Sequence, residues 1–411
     1  MSAVSKLRCP KCGHEPASRT AFQCPHCRSV FEVNIEIGHL SRADFDALRQ
    51  SRDQTIWRWF DFFPVENRTS IVSLGEGNTP LIHARRLGDK FGVANLYLKN
   101  DTVLPTGSLK DRSNSVGLSV AKELGFTTAT VMSTGNAAAS VAAYAAAAGL
   151  KSVVMVPAGT APSKIIQARA YGAMVIVIDG NFDYEVAELY KSAVQEFGWY
   201  DCLSSNPYRD EGKKSYAYEM VDQLDGQIPH WVIHPTAGGT GLYAMWKGYK
   251  EFLSLGWIDR APKLVAAQSE AAAPIVAAFE KGLADVIPVV ARETVAESIQ
   301  VGNPVSLGWR ALAALRESRG SAIALSDAEI LEAQALTGVL AGIFAEPAAA
   351  TSVAAAKRMR AAGVIGGDEL VVCNLTGHGL KQPEAIRISE KELTPIAPAL
   401  EALRERIKRP Q

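Results

Sequence analysis

The segment Pro105-Thr106-Gly107-Ser108-Leu109-Lys110-Asp111-Arg112 places a lysine where a helix should begin. Gly, Ser and Thr open helices well and leave backbone N–H groups free. A lysine in a first helical turn feels the positive end of the helix dipole, which lowers its pKa. Lys110 is thereby a candidate amine nucleophile; a surface lysine beside a capping serine is the plain alternative. Further on, Ala237-Gly238-Gly239-Thr240-Gly241 follows the β-rich run WVIHP and opens another helical stretch. Glycines let consecutive N–H groups converge on an anion, and the helix dipole adds to that attraction. A competing match is the dinucleotide pattern Gly239-x-Gly241-x-x-Ala244. That pattern wants an acidic residue about twenty positions on. Here Glu270 comes later and Asp259 falls in a loop-like stretch.

Cys9-Pro-Lys-Cys12 and Cys24-Pro-His-Cys27 form two C-x-x-C knuckles with eleven residues between them. Four thiolates so spaced can close a tetrahedral zinc site. The gap is shorter than is usual for paired knuckles, and a short hairpin would bridge it. A four-sulfur site has no open position, so its expected role is structural; a redox-active or vestigial pair is the alternative. His14 and His26 lie nearby with no vacancy to fill. Cys202 and Cys373 stand alone in apolar runs and read as small core residues.

In order along the chain, these segments resemble the threonine synthases, a pyridoxal-phosphate-dependent family. PTGSLKDR is similar to the family's lysine segment. SLGEGNTPL (73–81), Ser133-Thr134-Gly135-Asn136 and Asn206-Pro207-Tyr208-Arg209-x-Glu211-Gly212 match further motifs, as do AGGTGLYAMWKGY (237–249), VGNP (301–304), FAEPAAA (344–350) and LTGHGLK (375–381). The resemblance covers most of the chain after residue 70, and the knuckles resemble an N-terminal ribbon found in some members. It implies that Lys110 holds pyridoxal phosphate as a Schiff base and then serves as acid and base. It implies that Asn136 hydrogen-bonds the cofactor's 3-hydroxyl and that Ala237, Gly238, Gly239, Thr240 and Gly241 bind its phosphate. Thr376 would meet the pyridine nitrogen, where a neutral hydroxyl suits elimination and replacement better than transamination. Position alone leaves Asn136 open as a helix cap and Thr376 as a turn residue. The implied reaction turns O-phosphohomoserine and water into threonine and phosphate. Arg209 and Ser204 would face the substrate phosphate, with Lys213 or Lys214 adding charge, and Ser133 and Thr134 would lie beside the substrate.

The chain departs from the family pattern at these substrate contacts. Ala137-Ala138-Ala139-Ser140 stands where T-S-A-S is usual, and Leu203 stands where an asparagine is usual. Leu104, Leu109 and Ser113 replace Asn, Phe and Gly. Each donor lost near an anion could cost roughly 1–3 kcal/mol. Two alternatives stay open. One is another β/γ-elimination or replacement on an amino acid, as in cysteate synthases or hydroxy-amino-acid dehydratases. The other is a non-catalytic protein that binds through its ribbon. Against the latter stand Lys110, Asn136 and Thr376 together. The ribbon's basic residues, Arg8, Lys11, Arg19 and Arg28, also lack the aromatic ladder of nucleic-acid binders.

Positioning these groups requires a regular frame. NLYLK, TATVMS, KSVVMVP, AMVIVID, WVIHP, KLVAAQSE and ELVVCNL read as strands. The stretches Leu109–Leu124, Ala137–Ala148, Lys164–Tyr171, Tyr184–Phe197 and Leu242–Leu255 have helix length and spacing. Such alternation predicts an α/β fold with parallel strands and crossovers. A helical, aromatic connector is expected to about residue 68, and an Ala-rich helical region over 270–365. The resemblance makes this a two-domain fold type II pyridoxal-phosphate enzyme, tryptophan synthase β-like, with a small N-terminal ribbon. The implied division is 1–34 for the ribbon, 35–114 and 204–390 for a large domain, 115–203 for a small α/β domain, and 391–411 for a tail.

Composition bounds the rest. At about 100–200 residues per domain, 411 residues allow two or three. Basic and acidic residues balance at 43 each, which argues against a general nucleic-acid binder. A hydrophobic content of 47% argues against disorder. No apolar stretch reaches membrane-spanning length. Charges begin at Lys6 with no signal-like apolar core, so a cytosolic protein with reduced thiols is expected. The expected partner is a small amino-acid substrate, phosphorylated by the family reading, and a homodimer is implied by resemblance alone.

Overall fold

The computed structural model describes residues 5–180, 185–304, 307–386 and 393–408. Tyr184, residues 391–392 and 409–411 of the expected tail, and its boundary at 390/391 lie outside them. The strands are β1 (Ser5–Arg8), β2 (Glu32–Ile35), β3 (Leu81–His83), β4 (Asn95–Asn100), β5 (Thr128–Met132), β6 (Lys151–Pro157), β7 (Met174–Ile178), β8 (Tyr200–Asp201), β9 (Trp231–Pro235), β10 (Lys263–Ser269), β11 (Ser321–Leu325) and β12 (Leu370–Leu375). β1 and β2 pair antiparallel and belong to the ribbon. The larger sheet runs β11-β10-β9-β12-β4-β3 and the smaller β7-β6-β5-β8. In these two sheets only the edge pair β3–β4 is antiparallel among the described residues.

The strands of the larger sheet lack strict polar alternation because both faces are covered. Val232, Leu264, Ala266 and Val372 join one apolar core. Their neighbours Ile233, Val265, Ala267 and Cys373 join a second core on the other face. Helix Pro347–Ala361 is Ala-rich because it lies buried in that second core. Cys202 and Cys373 are both fully buried, as core residues should be.

Helices Lys110–Glu123, Asn136–Ala148, Pro162–Ala170, Ala187–Phe197 and Thr240–Ser254 occupy the predicted stretches. Helix Lys110–Glu123 runs through the expected 114/115 division and packs on helices Tyr208–Lys213 and Asn136–Ala148. Two expectations change. The region 270–365 contains a strand, β11, whose sequence SAIAL carries too little β-branched content to stand out. The connector is also less a linker than a piece of core. Trp59 and Phe62 are fully buried, with ring centroids 5.4 and 5.0 Å from Tyr218. Among the described residues no helix is long and apolar enough to cross a membrane.

Candidate active site

Three strand ends build the site, at the carboxyl edges where ligands meet parallel sheets. β12 ends at Leu375, and the carbonyl of Thr376 then accepts the N–H of Leu109 at 2.9 Å. Ser108 bridges Gly377 on the same edge. The lysine turn is thus pinned beside Thr376, and Lys110 becomes the first residue of its helix. β9 leads into the 237–241 loop and helix Thr240–Ser254. Gly239 has φ +92° there, and a Cβ would meet the Ala311 Cβ at 2.5 Å. A Cβ on Gly241 would sit 2.2 Å from His234 Nε2. Glycine is required at both positions. β5 leads into helix Asn136–Ala148.

Lys110, Asn136, Ala237, Gly238, Gly239, Thr240, Gly241 and Thr376 line one small cavity. Burial, reinforced by the charges of Lys213 and Arg209, pushes the Lys110 amine down to about 7, with Glu346 acting the other way. Burial, reinforced by the charges of Lys110 and Lys213, pushes His234 down to about 3, so it is neutral. Lys213 donates to Thr240 Oγ1 at 2.7 Å and pairs with Asp210 at 3.2 Å. The Asn136 side chain makes no helix cap. Its amide donates to both Glu346 oxygens at 3.1 Å, and Ser298 donates to the same carboxylate at 3.2 Å. Burial raises the Glu346 pKa.

A larger cavity adjoins the first, sharing Lys110 and Asn136, and is lined also by Ser133, Thr134, Ala137, Lys164 and Lys381. Two other predicted residues line neither cavity. Ser204 is exposed. Arg209 is buried, donates to Asn114 Oδ1 at 3.1 Å, and lays its stem against Gly117. Leu203 packs on the apolar core of the smaller sheet. The site also contains groups whose part motif reading left unassigned. Glu346 is legible only as a lone carboxylate before a proline in an alanine run. Lys213, expected only to add charge beside a substrate phosphate, lies on the cavity of the glycine loop and bonds Thr240. His234 and Ser298 carry no sequence signal.

The donor set matches a planar aldehyde bearing a phosphate. Clustered loop N–H groups and the Lys213 cation suit the phosphate, a buried neutral amine suits the aldehyde, and a neutral hydroxyl suits a ring nitrogen. At the ribbon, the four cysteine sulfurs lie within 4.8 Å of one another. The separations of 3.3, 3.5 and 3.9 Å lie near the roughly 3.8 Å that tetrahedral zinc–sulfur geometry demands.

Comparison with known proteins agrees with this geometry. Residues 72–377 match the family described as pyridoxal-phosphate dependent enzyme. The threonine synthase of Methanocaldococcus jannaschii is 42% identical, over 94% of this chain and 95% of its own. That of Methanosarcina acetivorans is 39% identical over 98% of both chains. Among solved structures, maize serine racemase superposes with a TM-score of 0.65 at 18% identity, covering 80% of this chain and 93% of its own. That last likeness speaks to fold alone.

Proposed function

The chain belongs to the threonine synthase family of pyridoxal-phosphate-dependent enzymes, and we propose that it converts O-phosphohomoserine and water to threonine and phosphate. The observation that carries this reading is the meeting of Lys110, Asn136, the 237–241 loop and Thr376 on one cavity that joins a larger one.

When bound, the cofactor supplies an electron sink for the carbanion chemistry of this reaction. The chain's own residues do the rest. Lys110 Nζ is the amine that holds the cofactor at rest and the base that moves the substrate's α-proton. Its depressed pKa keeps it neutral at modestly alkaline pH. Thr240, the loop N–H groups and Lys213 hold the cofactor phosphate. Asn136 would hold the ring's 3-hydroxyl, and the Thr376 hydroxyl would donate to the ring nitrogen. Ser133, Thr134 and the N–H groups opening helix Asn136–Ala148 take the substrate carboxylate. Lys164, ion-paired with Glu297, and Lys381 are cations on the wall of the larger cavity, where a phosphorylated substrate would need them. They contact Glu297 and Gln167 respectively. These contacts tie helix Pro162–Ala170 to the opposite wall, so closure of a small domain over a large one would exclude water. In this reading the ribbon holds one structural zinc and the enzyme is a homodimer.

A second reading rests on Ala137, Leu203 and the turning of Arg209 to Asn114. These remove family contacts to the substrate's carboxylate and phosphate and favour another elimination or replacement on an amino acid. One assay separates the readings. Purified enzyme with O-phosphohomoserine should release phosphate and threonine in equal amounts. Cofactor absorbance without that turnover would select the second reading, and no cofactor uptake would remove both. Elemental analysis should find one zinc per chain, lost in Cys24→Ser.

A further inference from the structure

Helix Tyr208–Lys213 has two working faces. Lys213 reaches Thr240 in the glycine loop, and its charge, with that of Arg209 one turn earlier, acts on Lys110. Tyr208, Asp210 and Glu211 are held from the ribbon. The Tyr208 hydroxyl donates to the Arg19 carbonyl at 2.9 Å. Arg310 lies 3.9 Å from Asp210 and donates to the carbonyls of Val30 and Phe31, the latter at 3.2 Å. Lys247 bonds Glu211 at 2.6 Å and donates to the Val33 carbonyl. Arg310, Asp210 and Glu211 are each only 2% exposed. Water is therefore a poor substitute for the ribbon's carbonyls, and an arginine deprived of them leaves buried N–H groups without partners. The second cysteine knuckle sets where those carbonyls lie. Cys24 N–H donates to the Ser29 carbonyl at 2.8 Å, and Phe31 N–H to the Phe22 carbonyl at 2.9 Å.

We propose that the ribbon is a brace for cofactor binding. Arg310 and Lys247 act as positioning residues that transmit the ribbon backbone through Asp210 and Glu211 to Lys213 and the phosphate loop. The chain of contacts is Val30–Arg310–Asp210–Lys213–Thr240, so loosening the ribbon loosens the grip on the cofactor phosphate. The inference rests on the reading that Thr240 and Lys213 hold that phosphate.

The test is the dissociation constant of pyridoxal phosphate, by absorbance titration of the full-length protein, in wild type and Arg310→Met. Loss of the ribbon contacts should weaken binding by about tenfold, the scale of one hydrogen bond to a charged group, and speed amide exchange over residues 208–213. Leu87→Ala, on helix Arg85–Phe91, which packs on β4 and helix Asp327–Ala341, should lower the melting temperature without moving that constant. This separates positioning from general destabilisation. If Arg310→Met does not fold, Arg310→Lys keeps the charge but loses the forked contact, and the same two readings apply. An unchanged constant in a folded Arg310 variant overturns the brace. Wild-type protein whose constant is indifferent to Lys213→Met overturns the phosphate reading instead, so the two failures are distinct.

Discussion

The amide nitrogen of Asn136 lies 3.1 Å from each carboxylate oxygen of Glu346, across 210 positions of chain. It joins the helix that follows β5 of the smaller sheet to the residue that opens helix Pro347–Ala361 beside the larger sheet. Because Glu346 also acts on Lys110, this contact links the geometry of the site to the charge of its amine.

Glu346→Gln should lower the pKa of Lys110 further. The carboxylate favours the protonated amine, so neutralising it favours the free amine. In wild type, the rate at which cofactor-free protein captures pyridoxal phosphate should fall as pH drops through about 7. In the variant that midpoint should move to lower pH. A midpoint that stays or rises would show that the carboxylate does not govern the amine.

Lys213→Met should weaken cofactor binding by about ten- to a hundredfold, since a hydrogen bond to a charged group is worth about 1.5–3 kcal/mol. Turnover at saturating cofactor should change less than the binding constant. Fluorescence or absorbance titration checks the first, and steady-state assay with excess cofactor the second.

Gly241→Ala should lose about 1–3 kcal/mol of stability, because its Cβ would overlap His234 and the loop cannot yield without losing its register. Gly238→Ala should stay within about 0.5 kcal/mol, since its Cβ would meet Pro304 at ordinary contact distances of 3.8 and 3.9 Å. Thermal melts of the two variants provide the comparison, and equal melts would contradict the packing of this loop.

Ala137→Thr should restore a hydroxyl to the larger cavity. If the substrate is O-phosphohomoserine, KM should fall by up to about tenfold, the worth of one hydrogen bond, with kcat little changed. A higher KM would indicate a substrate for which the methyl side chain is the fitted group.

Much of the frame was legible because its signals are local. Runs such as KSVVMVP and WVIHP are apolar on both sides and became β6 and β9. The strand β11 was not, since Ala-rich SAIAL takes its extended form from pairing with β10 rather than from its own propensity. The aromatic connector showed what it contains but not where it goes. Trp59 and Phe62 are core residues only because Tyr218 and Phe252 lie across from them.

The order of motifs by itself determined the cofactor chemistry. A lysine at a helix start, a glycine loop at a second and a threonine at a strand end each depend on backbone conformation within a few residues. Tertiary structure alone decided which charges face them. Arg209, matched by its motif to a substrate phosphate, meets Asn114, while Lys213 donates to Thr240 and Asn136 to Glu346. It also decided that the ribbon grips helix Tyr208–Lys213 through Arg310 and Lys247. The physical reason is common to all of these. A buried charge must find its partner wherever the fold places one, and partners brought together from distant parts of the chain leave no periodicity or spacing for a sequence to display.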